Sequence, residues 1–80
     1  MKALFFVGSS QKDIQGFPED VKDDLGFALF QIQQGVTPAC AKLMKGFGPG
    51  VLELIEDFYT GTYRAVCTVN FGKTVYVLHC

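Results

Sequence analysis

Residues 62–80, TYRAVCTVNFGKTVYVLHC, limit the possible folds of this chain more than any other stretch. Two runs rich in Val, Tyr and Thr flank Phe71-Gly72, a pattern typical of a β-hairpin. With the turn at Phe71-Gly72, the antiparallel ladder sets Arg64 opposite His79 on one face of the sheet. This pairing depends on register, because a slip of one residue moves a side chain to the other face. The sequence therefore predicts that its arginine and its histidine are neighbours.

The 80 residues suffice for a single domain, 1–80, with a small core. Apolar residues make up 49% of the chain and charged residues 19%, which indicates a globular rather than a disordered protein. The formal charge of -1 provides no basic field for nucleic acid. Any contact with RNA must therefore come from a local cationic patch.

Three cysteines, Cys40, Cys67 and Cys80, form no CxxC pair, so neither a disulfide framework nor a zinc finger is indicated. A reducing cytoplasm is the expected compartment. The opening apolar run of five residues is too short for a signal peptide, and no run reaches the eighteen residues of a membrane span. We expect a soluble protein with no membrane contact.

The first 16 residues predict one strand and one short helix. The apolar run Lys2 to Val7 does not alternate, which favours a strand that is covered on both sides or lies inside a sheet. Ser9 or Ser10 can cap a helix over Gln11 to Gln15 that stops at Gly16, and Ser10 with Asp13 approximates a capping box.

The main helix is predicted to begin near Pro18 and to stop at Gly35. Its apolar residues recur at helical spacing and form one stripe: Val21, Leu25, Ala28, Leu29 and Ile32. Phe27 and Phe30 are expected to widen this stripe, and Gly26 in mid-helix suggests close packing.

The rest of the chain predicts strands. Ala41 to Met44 can form a short edge strand within a Gly- and Pro-rich connector, and Val51 to Phe58 is a strand that turns at residues 59–61 into the hairpin. Short turns make neighbouring strands antiparallel. The predicted fold class is α+β: a two-layer sandwich of order β-α-α-β-β-β(-β), with a mainly antiparallel sheet and helices on one face.

Arg64 and His79 are the candidate catalytic residues. A guanidinium on the open face of a sheet can bind a phosphate through two hydrogen bonds and stabilise a charged transition state. The alternative for Arg64 is an ion pair with Glu56 or Asp57 across the ladder. His79 can act as a general acid or base, or it can be an ordinary strand residue.

Further candidates are Lys42 and Lys45, which can contact a phosphate or remain solvated loop residues. The loop after them lacks the GK[ST] ending of a nucleotide-binding loop. Four aromatic residues can stack on bases or belong to the core: Tyr63, Tyr76, Phe47 and Phe71. Glu53 and Asp57 are too isolated from other ligands to predict a metal site, and no cofactor is expected.

Six segments, in this order and spacing, resemble the phage-derived Gp49-like, HigB-type branch of the RelE/ParE toxin superfamily. They are KALFFVGSS, FPEDVKDDLGFAL, KLMKGFG, VLELIEDF, TYRAVCTV and VYVLHC. Together they cover nearly the whole chain. The resemblance implies a RelE-like fold.

The resemblance further implies the toxin of a type II toxin–antitoxin system, which inhibits translation by cutting mRNA on the ribosome without a metal. Its partners would be the ribosome, mRNA and a helix-turn-helix antitoxin, in a homodimer or a toxin–antitoxin hetero-oligomer. Arg64 would stabilise the transition state and His79 would carry a proton. Lys42, Lys45, Arg64 and Lys73 would bind RNA. The alternative is an inactive module that keeps only the antitoxin-binding surface.

Two features depart from the family pattern. Glu53-Leu54-Ile55 stands where many relatives have Glu-Leu-Arg. Relatives also continue past the last strand with Phe and several lysines, whereas this sequence ends at Cys80. Because such lysines would supply much of the positive charge for binding ribosomal RNA, the resemblance implies the fold, whereas endoribonuclease activity of these 80 residues does not follow from it.

Overall fold

A computed structural model describes residues 1–44, 50–69 and 72–80 of the protein. Its elements, in chain order, are β1 (Ala3–Phe6), α1 (Ser10–Gln15), α2 (Glu19–Gln33), β2 (Ala41–Leu43), β3 (Val51–Phe58), β4 (Gly61–Thr68) and β5 (Thr74–His79). The predicted order of elements is confirmed, and the connector does contain the short strand β2.

The strands form one sheet in the order β1-β5-β4-β3-β2. β1 runs parallel to β5, and the other neighbours are antiparallel. Both helices pack on one face of this sheet. The α+β two-layer class is therefore confirmed, with β2 at an edge as predicted.

The core lies between α2 and the sheet. The buried residues of α2 are those of the predicted stripe: Val21, Leu25, Ala28, Leu29 and Ile32. They pack against alternate residues of the central strands, among them Leu54 of β3, Ala65 and Cys67 of β4, and Val75 and Val77 of β5. Burying these side chains supplies most of the drive to fold, at roughly 1.5–3 kcal/mol for each large aliphatic side chain.

Two expectations for α2 are wrong. Phe27 and Phe30 do not widen the buried stripe, because they are 60% and 47% exposed. Gly26 does not mark a close contact, since a Cβ at this position would meet no atom within 4 Å. The apolar arc of α2 is narrower than its sequence suggests.

The first strand also differs from its prediction. β1 is an edge strand rather than an interior one, and Phe5 on it is 58% exposed. Only alternate residues, Leu4 and Phe6, pack against the core. An apolar run does not by itself show how many neighbours a strand has, so the prediction of two covered faces was wrong.

The start of α1 is fixed differently from the predicted capping box. Ser9 is the N-cap, and its hydroxyl donates to the Asp13 side chain over 3.0 Å rather than to the backbone. Ser10 is buried, and its Oγ donates to the Val77 carbonyl over 3.0 Å. This bond ties the first turn of α1 to β5.

The register of the last hairpin differs from the predicted one. The partner of His79 is Val66, and the partner of Val77 is Cys67, so β5 has one extra residue at this point. Such a β-bulge shifts the register locally. Before the bulge, Cys67 already pairs with Val77 rather than with Tyr76, as the predicted turn required, and the bulge adds a second residue to the shift, so Arg64 is not directly opposite His79. The turn residues on which the prediction rested, Asn70 and Phe71, lie outside the described residues.

None of the helices described by the structure is long and apolar enough to cross a membrane. All three cysteines are free thiols.

Candidate functional site

Arg64 lies on the face of the sheet that the helices leave open. Its neighbours in β4 alternate, so that Ala65 and Cys67 are buried under the helices while Arg64 and Val66 point to the opposite side. The Arg64 side chain is 58% exposed. A guanidinium in this position is accessible to a ligand as large as RNA.

Glu53 is the ion-pair partner of Arg64, a residue that the sequence reasoning did not assign. Its Oε2 lies 3.5 Å from Arg64 Nε. The residue directly opposite Arg64 in β3 is Ile55, and Glu53 is its diagonal neighbour two positions along. The predicted pairs with Glu56 or Asp57 are therefore wrong, because the tight turn between Phe58 and Gly61 sets another register.

Glu56 and Asp57 have other surroundings. Glu56 lies opposite Tyr63 on the face of the helices, where burial, and then the charges of Asp24 and Asp57, raise the pKa of its carboxyl. Asp57 Oδ1 accepts a hydrogen bond of 2.9 Å from Thr62 Oγ1. Neither carboxylate neutralises Arg64.

The bulge in β5 determines where His79 lies. Residues that pair in a ladder share a face, so His79 lies on the side of its partner Val66, which is also the side of Arg64. Arg64 is then a diagonal neighbour of His79, at a typical separation of about 7–8 Å. Both residues are exposed. The two side chains are thus on one face of the sheet.

One of the predicted RNA-binding lysines, Lys42, is exposed on this face. Lys42 on β2 lies opposite Glu53, so this carboxylate stands between two cations, Lys42 and Arg64. Lys73 lies in the turn before β5 and lines a groove with Gln33 and Gln34 at the end of α2, on the side of the helices. Lys45 lies outside the described residues, as do Phe47 and Phe71.

The remaining aromatic candidates lie on opposite faces. Tyr63 packs against Phe17 with ring centroids 4.9 Å apart, and it belongs to the side of the helices. Tyr76 lies on the open face beside Phe5, with centroids 5.9 Å apart and ring planes at 66°. The sequence reasoning missed Phe5, because nothing in the run ALFF distinguishes it from its buried neighbours.

The negative charge of the protein is concentrated on the side of the helices. A groove of about 660 Å³ there is lined by five carboxylates together with two aromatic residues: Asp20, Asp23, Asp24, Glu56, Asp57, Phe58 and Tyr59. Of these carboxylates, Asp57 pairs with Thr62 in the ladder and therefore lies on the face of Arg64. Within the described residues, no three His, Cys, Asp or Glu side chains come together in a way that could hold a metal ion. The groove is unfavourable for an anionic ligand.

The thiols have little nucleophilic character. Burial, followed by the proximity of Cys80 and Cys40, raises the pKa of Cys67 to about 12. Burial and then the charge of Asp13 raise the pKa of Cys80 to about 11. Since the thiolate is the nucleophile, neither group suits covalent catalysis at neutral pH.

The open face therefore offers an exposed guanidinium, an imidazole on the neighbouring strand and the ammonium group of Lys42. Such a set can bind a phosphodiester and move a proton. A carboxylate at 3.5 Å partly offsets the guanidinium charge.

Comparison with known proteins gives one match. No curated protein and no solved structure matches the chain significantly. The model of one family, described as phage derived protein Gp49-like (DUF891), matches residues 12–80. This range includes part of α1, all of α2, β2 to β5, and every residue of the open face named above except Phe5. The chain therefore belongs to the phage-derived Gp49-like family, a family associated with toxin–antitoxin modules.

Proposed function

We propose that this protein is the toxin of a type II toxin–antitoxin pair and that it inhibits translation by cutting mRNA on the ribosome. The observation that carries the proposal is the exposed Arg64 on the helix-free face, with His79 on the same face. Family membership supports it, because Gp49-like proteins are associated with toxin–antitoxin modules. The expected partners are a helix-turn-helix antitoxin, the ribosome and mRNA, and the expected compartment is the cytoplasm.

The chemistry requires no metal. The 2′-oxygen of a ribose attacks the adjacent phosphorus as its hydroxyl proton passes to solvent water, and the bond from phosphorus to the 5′-oxygen of the next nucleotide breaks. Negative charge builds up on the non-bridging oxygens, where the Arg64 guanidinium donates hydrogen bonds to them. His79 donates the proton that the leaving 5′-oxygen acquires. The products are a 2′,3′-cyclic phosphate and a free 5′-hydroxyl.

Lysines position the strand in this scheme. Lys42 is exposed on the open face, where it can bind a phosphate beside the cleaved bond, and Lys73 is proposed for the same role from the family resemblance. Lys45 is proposed for the same role from its place in the sequence. These contacts hold the RNA in register and carry no base preference.

A second function is favoured by the ion pair of Arg64. Glu53 lies 3.5 Å from the guanidinium, and the formal charge of the chain is -1. A protein with these features can retain the antitoxin-binding surface of its family without cutting RNA. In that case the chain is a protein-binding module of phage or mobile-element origin.

Expression in bacteria without an antitoxin tests the first function. We expect growth arrest and cleavage of ribosome-bound mRNA, both relieved by Arg64→Ala. Lys12→Ala is the matched control, because Lys12 is an exposed cation on α1, in the layer of helices. Arrest that Arg64→Ala leaves undiminished would show that the assigned role of Arg64 is wrong.

The same cultures discriminate the second function. Harmless expression of a folded wild-type chain, together with binding to the helix-turn-helix protein encoded beside it, would select the non-catalytic module. Primer extension on ribosome-bound mRNA measures cleavage independently of growth.

A further inference from the structure

Phe5 leaves an aromatic ring open to solvent on the same face as Arg64. It is 58% exposed on the edge strand β1, directly paired with Tyr76 of β5. The two rings meet edge to face at a centroid distance of 5.9 Å. Single exposed apolar residues are common on protein surfaces. Here, however, the exposed ring is held in place by a second aromatic residue and lies on the face proposed to bind RNA.

The sheet fixes the distance between this pair and Arg64. The Tyr76 backbone N–H donates to Thr68 Oγ1 over 3.0 Å, which aligns Tyr76 with Thr68 of β4. Thr68 lies four residues from Arg64 along the same strand, a rise of roughly 14 Å at about 3.4 Å per residue. A single strand of RNA covers this span in a few nucleotides.

We propose that Phe5 and Tyr76 form a stacking platform for a base of single-stranded RNA whose phosphate is bound at Arg64. This inference rests on the proposed function and adds to it a binding subsite a few nucleotides from the cleaved bond. Every base presents a π-face, so the platform is tolerant of sequence.

The chain offers a closely matched control for this proposal. Phe27 is 60% exposed, nearly the same as Phe5, but it lies on α2, away from the open face of the sheet. Removing either ring takes away a similar exposed apolar area. Only the removal of Phe5 should affect RNA.

The experiment measures binding of a fluorescein-labelled single-stranded decauridylate to the purified protein by anisotropy. Phe5→Ala and Phe5→Leu should each weaken binding about fivefold or more, since stacking contributes about 1–3 kcal/mol per base. Phe5→Trp should bind at least as tightly as the wild type, and Phe27→Ala should stay within about twofold of it. Because Leu fills similar space without a π-face, a merely structural role of Phe5 would leave the Leu variant unchanged.

Several outcomes would overturn the platform: wild-type binding by Phe5→Leu, an equal loss in Phe27→Ala, or no binding of the RNA by the wild type. A loss of self-association or of antitoxin binding in Phe5→Ala, with RNA binding intact, would assign the aromatic pair to a protein interface instead.

Cleavage of ribosome-bound mRNA is measured in parallel. If RNA binding depends on Phe5 but the wild type does not cleave mRNA, the proposed function is wrong and the platform stands. If the wild type cleaves mRNA and Phe5→Leu binds RNA as tightly as the wild type, the platform is wrong and the proposed function stands.

Discussion

At the scale of single residues, Glu53 determines how much of the Arg64 charge a ligand can use. The two groups lie 3.5 Å apart and are partly exposed, so the pair stabilises the protein by only about 0.2–1 kcal/mol. Glu53→Gln removes the competing carboxylate and frees the guanidinium for phosphate. We expect RNA to bind about 1.5- to 5-fold more tightly to this variant, measured by anisotropy with labelled RNA.

The control for Glu53 is Glu19→Gln. Glu19 pairs with Lys22 over 2.8 Å on α2, so the substitution removes one negative charge and one exposed ion pair without touching the open face. An equal gain in both variants would show that net charge, rather than release of Arg64, sets the affinity.

Cys67 provides a residue-scale prediction for stability. Burial raises the pKa of its thiol from 9.0 to about 12 in the folded protein. Above pH 9 the unfolded chain loses this proton while the folded chain keeps it, so the folded state binds more protons and the free energy of unfolding falls with rising pH. The loss per group is at most about 1.4 kcal/mol per pH unit.

Urea unfolding at several pH values between 8 and about 10.5 measures this slope. Cys67→Ala should be less stable at pH 8, because it leaves a cavity in the core, but its stability should fall less steeply above pH 9. Parallel slopes for the wild type and the variant would contradict a buried, protonated Cys67.

At the scale of elements, α2 contains a residue that weakens it without any packing reason. Gly26 lies in mid-helix, is exposed, and has open space where a Cβ would stand. Gly26→Ala should raise the free energy of unfolding by about 0.5–1 kcal/mol, since alanine loses less conformational entropy in a helix. Urea denaturation followed by circular dichroism measures the change.

Gly35 is the matched control at the end of the same helix. It also has open space around it, but its φ of +83° belongs to the left-handed region that other residues rarely adopt. Gly35→Ala should therefore destabilise the protein. Stabilisation by both substitutions, or by neither, would show that backbone conformation is not what separates them.

The sequence predicts the helices and strands better than it predicts the order and register in which the strands pair. The stripe of α2 could be predicted because five apolar residues repeat at the helical period and one face of the helix must be buried. The hairpin could be recognised from its β-branched residues. Its register could not be predicted, because the bulge beside Val66 inserts a residue that has no recognisable sequence motif. The exposure of Phe5 follows from the strand order, which a local apolar run does not encode.

The candidate site shows the same division. The sequence singled out Arg64 and His79 by residue type, and the two do share the open face. The ion-pair partner of Arg64, Glu53, was missed. The pairing depends on the two-residue turn after β3, and the sequence did not distinguish this turn from a longer one. The sequence therefore shows which side chains are chemically suited to a site, whereas the register of the strands determines which side chains are neighbours.

At the scale of the whole molecule, charge is separated between two faces. A groove on the side of the helices is lined by the carboxylates Asp20, Asp23, Asp24 and Glu56, whereas Lys42 and Arg64 are exposed on the open face of the sheet, where Glu53 and Asp57 offset part of their charge. The layer of helices is about 10 Å thick, and the Debye length at physiological salt is about 8 Å. Each face therefore presents its own potential to a ligand, and a formal charge of -1 for the chain does not prevent RNA from binding.

This separation predicts how RNA binding depends on salt. If three cations bind phosphates, a plot of log Kobs against log salt concentration should have a slope of about −2, and Arg64→Ala should reduce its magnitude by about 0.7.

A double variant on α2 separates net charge from the open face. Asp20→Asn with Asp23→Asn changes the formal charge from -1 to +1. The affinity for RNA at 0.15 M salt should nevertheless stay within about twofold of the wild type, because both residues are on α2. A gain in affinity as large as the loss caused by Arg64→Ala would mean that net charge governs binding. The open face would then have no claim to be the RNA-binding surface.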